Sequence, residues 1–133
     1  MPIIRYRVGD FVTRTLLPCS CERGLSRFLR FDGRESARIY LPNGRTAWAG
    51  KVADFVEGIT MTAHYRIRQI GYTQFVFECT KKMNLTTEQA TKIREMLSEC
   101  AGQNVQMVVK VVDFIEPLPS GKRNWFLKEF VEN

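Results

Sequence analysis

The 133-residue chain lacks several features that would assign it to a specialised class of protein. No apolar run approaches the roughly 18 residues needed to span a membrane, and the first residues lack a signal-length apolar stretch. The sequence has one histidine, His64, and no glycine-rich phosphate loop of the G-x-x-x-x-G-K-[ST] type. We therefore expect a cytoplasmic protein with neither a membrane span, a Ser/His/Asp triad nor a P-loop.

Cysteines are also few, at positions 19, 21, 79 and 100. A cytosolic chain of this size needs no disulfide framework. The Cys19-x-Cys21 pair could give two thiolates to zinc, but a zinc site usually needs four ligands, and His64 is distant in sequence. We predict no metal site and interpret the pair as small residues of a loop. Cys79 and Cys100 are predicted to be core residues.

Lysine is absent from the first 50 residues, where nine arginines face four acidic residues. The net charge of +6 is therefore concentrated in the first third of the chain. Guanidinium groups match the geometry of phosphate oxygens. This distribution fits a nucleotide, a nucleic acid or a phosphorylated cofactor, and it equally fits an ordinary basic surface.

The first third of the sequence is rich in predicted strands, at 3–8, 11–15 and 26–31. Gly9-Asp10 is interpreted as a turn between the first two strands, and residues 32–34, "DGR", are expected to end the third. Residues 37–48 are predicted to form a hairpin around Asn43-Gly44. This dipeptide is typical of a type I′ turn, in which both central residues have positive φ.

The remaining sequence alternates between helical and strand patterns. A helix is predicted around residues 51–59, a hairpin at 62–79, a capped helix at 87–101 and a strand at 105–111. A polar loop follows at 116–124, and "WFLKEFV" is interpreted as a strand or a helical turn. The order helix-strand-strand-helix-strand predicts an α+β fold, in which helices cover one face of a three-stranded sheet. A boundary is expected near residue 34.

Three short stretches are each typical of a surface loop: "RYRVGD" (5–10), "FDGRES" (31–36) and "PSGKRN" (119–124). In this order and spacing, however, the chain resembles the C-terminal part of the adenylate-forming ligases, which are the acyl- and aryl-CoA synthetases. It looks most like the phenylacetate–CoA ligase type. The stretches that carry the resemblance are "PIIRYRVGDFV" (2–12), "CSCERGLSRFLRFDGRESARIYLPNGR" (19–45) and "IEPLPSGKRNWF" (115–126).

The resemblance implies that residues 1–34 are the last β-hairpin strands of a large N-terminal adenylation domain and that residues 35–133 form the C-terminal lid domain. Asp10 matches the aspartate that accepts hydrogen bonds from the ribose hydroxyls of ATP. Arg34 matches an arginine that also contacts the nucleotide. Lys122 matches the lysine that bridges the substrate carboxylate and the α-phosphate when the lid closes.

The resemblance also assigns roles to loop and hinge residues. Gly121 lets the lysine loop turn tightly, and the hairpin at Asn43 and Gly44 belongs to the lid face offered to coenzyme A. Ser36 stands at the hinge, where the family usually has aspartate or lysine, and Val8 replaces the usual threonine before Gly-Asp. The cofactors implied are ATP/AMP with Mg²⁺ and coenzyme A as co-substrate.

The family's acyl pocket, phosphate loop and metal-binding glutamate belong to an N-terminal domain that this sequence does not contain. We therefore expect the chain to need that domain as a partner, to act on an acyl or aryl carboxylic acid only with it, and to be inactive alone. Exposed strand edges in residues 1–34 would favour self-association. Two alternatives are a stand-alone basic module that binds a nucleotide, nucleic acid or protein, and a truncated relative that complements a separate large domain.

Overall fold

The structure is a computed structural model that describes residues 8–21, 23–34, 37–59, 64–119, 121 and 124–131. It divides into two compact units, Met1–Glu35 and Ser36–Asn133. The fold is α+β, as predicted. In chain order, the described elements are β1 (Asp10–Thr15), β2 (Arg27–Arg34), β3 (Arg38–Tyr40), β4 (Thr46–Trp48), α1 (Gly50–Ile59), β5 (Tyr65–Gly71), β6 (Gln74–Thr80), a short 3₁₀ turn (Lys81–Met83), α2 (Thr87–Ala101), β7 (Gln106–Val112) and β8 (Phe126–Lys128).

The first unit contains a two-stranded antiparallel ribbon of β1 and β2. The prediction that residues 32–34 end the third predicted strand (26–31) is wrong, since that strand, β2, continues to Arg34. The ladder shifts register beside Asp32, whose carboxylate accepts hydrogen bonds from Thr13 Oγ1 and Arg30 Nε, both at 2.5 Å. These bonds stabilise a bulge at Asp32, which lets β2 continue past the shift in register. The strand predicted at 3–8 lies almost wholly outside the described residues.

The second unit contains a four-stranded sheet in the order β7-β6-β5-β8. Strands β5 and β6 form the predicted antiparallel hairpin, while β7 runs parallel to β6 and β8 parallel to β5. The three predicted strands are present, but the sheet has four strands rather than the three predicted. The final segment adds an edge strand in which Phe126 pairs with Ile67.

Both helices contribute to a single hydrophobic core against one face of this sheet. Alternation along β5 and β6 directs Ile67, Phe75 and Phe77 into that core, where each is no more than 1% exposed. The core members from the helices and from β3 are Val52, Val56, Ile93, Leu97, Ala101 and Ile39.

Helix α2 has the ends that its sequence predicts. Thr86 Oγ1 accepts a hydrogen bond from Gln89 N at 3.2 Å, and Gln89 Oε1 accepts one from Thr86 N at 3.0 Å. This reciprocal capping box satisfies two backbone donors that the first turn leaves free. At the other end, Gly102 adopts a left-handed conformation with φ of 65°, which a residue with a Cβ enters only at a cost.

The hairpin of β3 and β4 forms as predicted, but its turn is not of type I′. Gly44 has a φ of 71°, whereas Asn43 does not have positive φ. The Gly44 N–H donates to Leu41 O at 3.1 Å, and Leu41 N donates to Arg45 O at 2.9 Å. This longer connection needs only one residue with positive φ.

A buried glutamine attaches this hairpin to the rest of the second unit. Gln69 on β5 is 0% exposed, its Nε2 donates to Tyr40 O at 2.8 Å, and its Oε1 accepts from Tyr40 N at 2.9 Å. The side-chain amide therefore acts as a further strand partner for β3. Both of its polar ends are satisfied, as burial requires.

Candidate functional site

The two predicted nucleotide-binding residues meet at the open end of the ribbon. Asp10 is the first residue of β1 rather than part of a turn, and it pairs with Arg34, the last residue of β2. Arg34 Nε lies 3.7 Å from Asp10 Oδ1, which is an ion pair too long to be a good hydrogen bond. No hydrogen-bond partner for this buried oxygen is found among the described residues. The pair therefore keeps hydrogen-bonding capacity.

Local backbone geometry explains how these residues come to be opposite each other. Gly9 has a φ of 75° and Gly33 a φ of 90°, so a glycine in the left-handed region precedes each of them. The register shift between Phe11 and Val12 accommodates Asp32 as an extra residue on β2. The last rung of the ladder then joins Asp10 to Arg34.

Apolar side chains share this face of the ribbon. Because directly paired residues of a ladder lie on the same side, Val12 with Phe31 and Arg14 with Phe28 follow the Asp10–Arg34 rung. Phe28 is 64% exposed and Phe31 is 62% exposed. The charged pair is thus the polar end of a surface that is otherwise rich in exposed aromatic rings.

Lys122 lies outside the described residues, and so does Ser36. The structure does describe the chain on both sides of the lysine. Gly121 has a φ of 76°, and its N–H donates to Leu118 O at 2.7 Å, which closes a turn just before the lysine. A residue with a Cβ would be strained at this φ, so glycine suits the position.

The loop at 116–124 is anchored at both ends to strand β5. Before the loop, Ile115 is buried and Arg66 donates a hydrogen bond to Glu116 O. After it, Ile67 N donates to Trp125 O at 2.7 Å, and Phe126 is 3% exposed. The segment that carries Lys122 therefore begins and ends on a rigid element of the second unit.

The turn that contains Asn43 and Gly44 is exposed at the tip of the β3–β4 hairpin. Asn43 Oδ1 accepts a hydrogen bond from Arg45 N at 3.0 Å, so the side chain stabilises its own turn. This tip belongs to the second unit.

Arginines of both units are engaged within the chain. Arg68 lies 2.7 Å from Glu78 Oε1, and its Nε donates to Glu129 Oε1 at 2.8 Å. The hydrogen bonds that Arg68 donates to Glu129 and then to Glu78 raise the pKa of Arg68 further above its ordinary value. In the ribbon, Arg27 Nη1 donates to Pro18 O at 2.6 Å. The charge of Arg68 is thus neutralised by two carboxylates, whereas Arg27 keeps its charge and is held against the backbone.

Two further features lie apart from the predicted site residues. A groove between α1 and α2 is lined by Phe55, Ile59, Thr86 and Lys92, among others, and contains none of those residues. Cys19 and Cys21, which are predicted to be loop residues, are in contact through their sulfur atoms. The described part of the chain contains no cluster of three or more residues able to hold a metal ion.

No protein-family model matches the chain, and no curated protein matches it significantly. Among the helices of the described residues, none is both long and apolar enough to cross a bilayer.

Proposed function

We propose that this chain is the C-terminal region of an ATP-dependent acyl- or aryl-CoA ligase and supplies one part of a shared active site. The observation that carries the proposal is the rung between Asp10 and Arg34. The two residues are far apart in sequence, and the resemblance gives both of them nucleotide contacts. The pairing of β1 with β2 brings them together with unused hydrogen-bonding capacity.

Each residue then has a defined part in binding the nucleotide. The Asp10 carboxylate has enough acceptor sites for the two ribose hydroxyls, which a neutral amide would serve less well. Arg34, whose side chain is 79% exposed, can turn from its long ion pair to contact the nucleotide. Mg²⁺ would be held mainly by the N-terminal domain, and the location expected for this chemistry is the cytoplasm.

Lys122 would serve the adenylation step itself. An ammonium group placed between the carboxylate of the acid substrate and the α-phosphate offsets the negative charge that builds as the carboxylate attacks. The turn at Gly121 and the anchors at Ile115 and Phe126 would present it from a fixed base. The lid domain would then rotate about a hinge at Ser36. This rotation would move the lysine loop out of the active site and bring in the hairpin at Asn43 and Gly44 before coenzyme A reacts.

The exposed apolar surface of the ribbon supports the need for a partner domain. A two-stranded sheet is marginal alone, and Phe28, Leu29 and Phe31 are each more than 60% exposed. Strands that end a larger sheet would show this pattern when their neighbours are absent. The same feature fits a truncated relative that complements a separate large domain.

The test is reconstitution with the N-terminal domain of a phenylacetate–CoA ligase, fused or mixed with this chain. We expect no ATP–pyrophosphate exchange from the chain alone and measurable exchange from the pair. Asp10→Asn and Arg34→Ala should each raise the KM for ATP by roughly ten- to a hundredfold, because each removes a hydrogen bond that involves a charged group. Arg14→Ala, on the same face of the ribbon, is the matched control and should leave that KM unchanged.

The alternative function has its own readout in the same preparation. A stand-alone basic module should bind single-stranded nucleic acid in a salt-dependent manner without any added domain. If the chain did so, and if no N-terminal domain restored exchange, the ligase proposal would be replaced by that one.

A further inference from the structure

The loop between β1 and β2 brings two thiols into contact. Cys21 Sγ lies 2.9 Å from Cys19 Sγ, with only Ser20 between the two residues. Cys21 is exposed and Cys19 is half-buried, and both are free thiols. The pair is therefore close enough to react internally and open to reagents in solution.

Hydrogen bonds at the base of the loop hold this arrangement. Arg27 Nη1 donates to Pro18 O at 2.6 Å, immediately before Cys19, and Leu17 N donates to Thr15 Oγ1 at 3.2 Å. Gly24, with a φ of 66°, turns the chain back towards β2. The two cysteines thus lie in a tethered loop rather than in an unconstrained segment.

The four thiols of the chain differ in their reactivity. The Cys19 thiol and then the Arg23 backbone N–H stabilise the Cys21 thiolate, which lowers the pKa of Cys21. When both residues are neutral thiols, Cys21 donates the hydrogen bond to Cys19. Once Cys21 is a thiolate, Cys19 donates and Cys21 accepts. Burial instead raises the pKa of Cys79 and of Cys100. Because the thiolate is the nucleophile, Cys21 should react before Cys79, which is buried, and before Cys100, which is half-buried.

We propose that Cys19 and Cys21 form a reversible dithiol–disulfide pair that exchanges with low-molecular-weight disulfides. The Cys21 thiolate attacks one sulfur of the external disulfide, which forms a mixed disulfide and expels one thiolate. Cys19 loses its proton and attacks Cys21 Sγ, which closes the Cys19–Cys21 bond and expels the second thiolate. The protein loses two electrons and two protons, and the external disulfide gains them.

A redox role fits this geometry better than a metal site does. Zinc would need further ligands, and the described residues bring no third histidine, cysteine or carboxylate to these thiols. The proposal is independent of the proposed ligase function, because it rests only on the sulfur contact, the loop and the exposure of Cys21.

The test uses the full chain in buffers that contain oxidised and reduced glutathione at several ratios. Free thiols are then blocked by alkylation, and the protein is cleaved with trypsin. Residues 15–23 lie between arginines and carry both cysteines, so one peptide reports on the pair. We expect this peptide to escape alkylation and to lose the mass of two hydrogen atoms, with no lasting glutathione adduct.

Two variants separate the steps of the exchange. Cys19→Ser removes the resolving thiol, so the glutathione adduct at Cys21 should accumulate at least roughly tenfold over wild type. Cys21→Ser should react more slowly at Cys19. Cys100→Ser, on α2, is the matched control and should behave as wild type. The proposal is overturned if wild-type Cys21 keeps its adduct, if the disulfide forms with Cys79 or Cys100, or if Cys19→Ser accumulates no excess adduct.

Discussion

The two units of the chain differ in how far their aromatic side chains are exposed. In the second unit, Phe75 and Phe77 on β6 are at most 1% exposed, because α1 and α2 cover that face of the sheet. In the ribbon, Phe28 and Phe31 are more than 60% exposed. Both units use strands, turns and ion pairs, but among the described residues layers that enclose a core are found in the second unit alone.

This difference indicates where stability originates and where a partner is needed. Burial of apolar surface is the main favourable term in folding, and the second unit has that term on its own. The ribbon depends on pairing between β1 and β2 and on polar contacts such as Thr13 with Asp32. We expect the second unit to fold independently and the ribbon to gain its burial from another domain.

The largest expected effect separates a core aromatic from an exposed one. Phe77→Ala should lower the free energy of unfolding of the second unit by about 3–5 kcal/mol, because it leaves a cavity in the core. Phe31→Ala in the ribbon should change it by less than about 0.5 kcal/mol. Both tryptophans, Trp48 and Trp125, belong to the second unit, so tryptophan fluorescence in a urea titration reports on it. Equal losses in the two variants would contradict the contrast between the units.

A smaller effect is expected from a buried hydrogen-bond partner. Gln69→Leu should destabilise the second unit by about 1–3 kcal/mol, since it leaves the N–H and C=O of Tyr40 without their partner. Thr13→Val, which removes a side-chain hydrogen bond from the ribbon, is the comparison and should not move the same fluorescence transition. An unchanged midpoint for Gln69→Leu would show that Gln69 does not secure the hairpin.

The smallest effect compares two glycines with positive φ. Gly102→Ala should cost the second unit about 1 kcal/mol, because alanine is strained in the left-handed region at the end of α2. Gly33→Ala carries a similar local strain, but it lies in the ribbon and should leave unfolding of the second unit unchanged. Thermal unfolding followed by the helical circular dichroism signal, which comes from α1 and α2 of the second unit, measures both variants. A lower midpoint temperature for Gly33→Ala would show that the units are energetically coupled.

Regular local patterns explain what the sequence predicted well. Thr86 and Gln89 cap α2, and alternation along residues 64–79 identifies the β5–β6 hairpin; both signals act between near neighbours. The sequence of β8 fits both a strand and a helical turn, because its three residues form a strand only through parallel pairing with β5, far earlier in the chain. The continuation of β2 was missed because the bond from Thr13 to Asp32 spans 19 positions.

In the candidate site, too, local motifs predict which residues matter, and pairing between distant residues decides how they meet. The motifs around Asp10 and Arg34 indicate these two residues, but their direct pairing depends on the register of β1 and β2 and on the shift beside Asp32. The contact between Cys19 and Cys21 occurs in a loop where Arg27 binds the carbonyl of Pro18, and composition reveals neither contact. The roles of Lys122, Ser36 and the Asn43–Gly44 turn stay predictions.

The most direct test of the proposed ligase function is the effect of Lys122→Ala on the two half-reactions of the reconstituted enzyme. Adenylation, measured as ATP–pyrophosphate exchange, should fall by about a hundred- to a thousandfold, while thioester formation from a supplied acyl-adenylate should be retained. Arg123→Ala, at the adjacent cation, should leave both rates close to wild type. Full-rate exchange by Lys122→Ala, or equal loss of both half-reactions, would contradict the role proposed for Lys122.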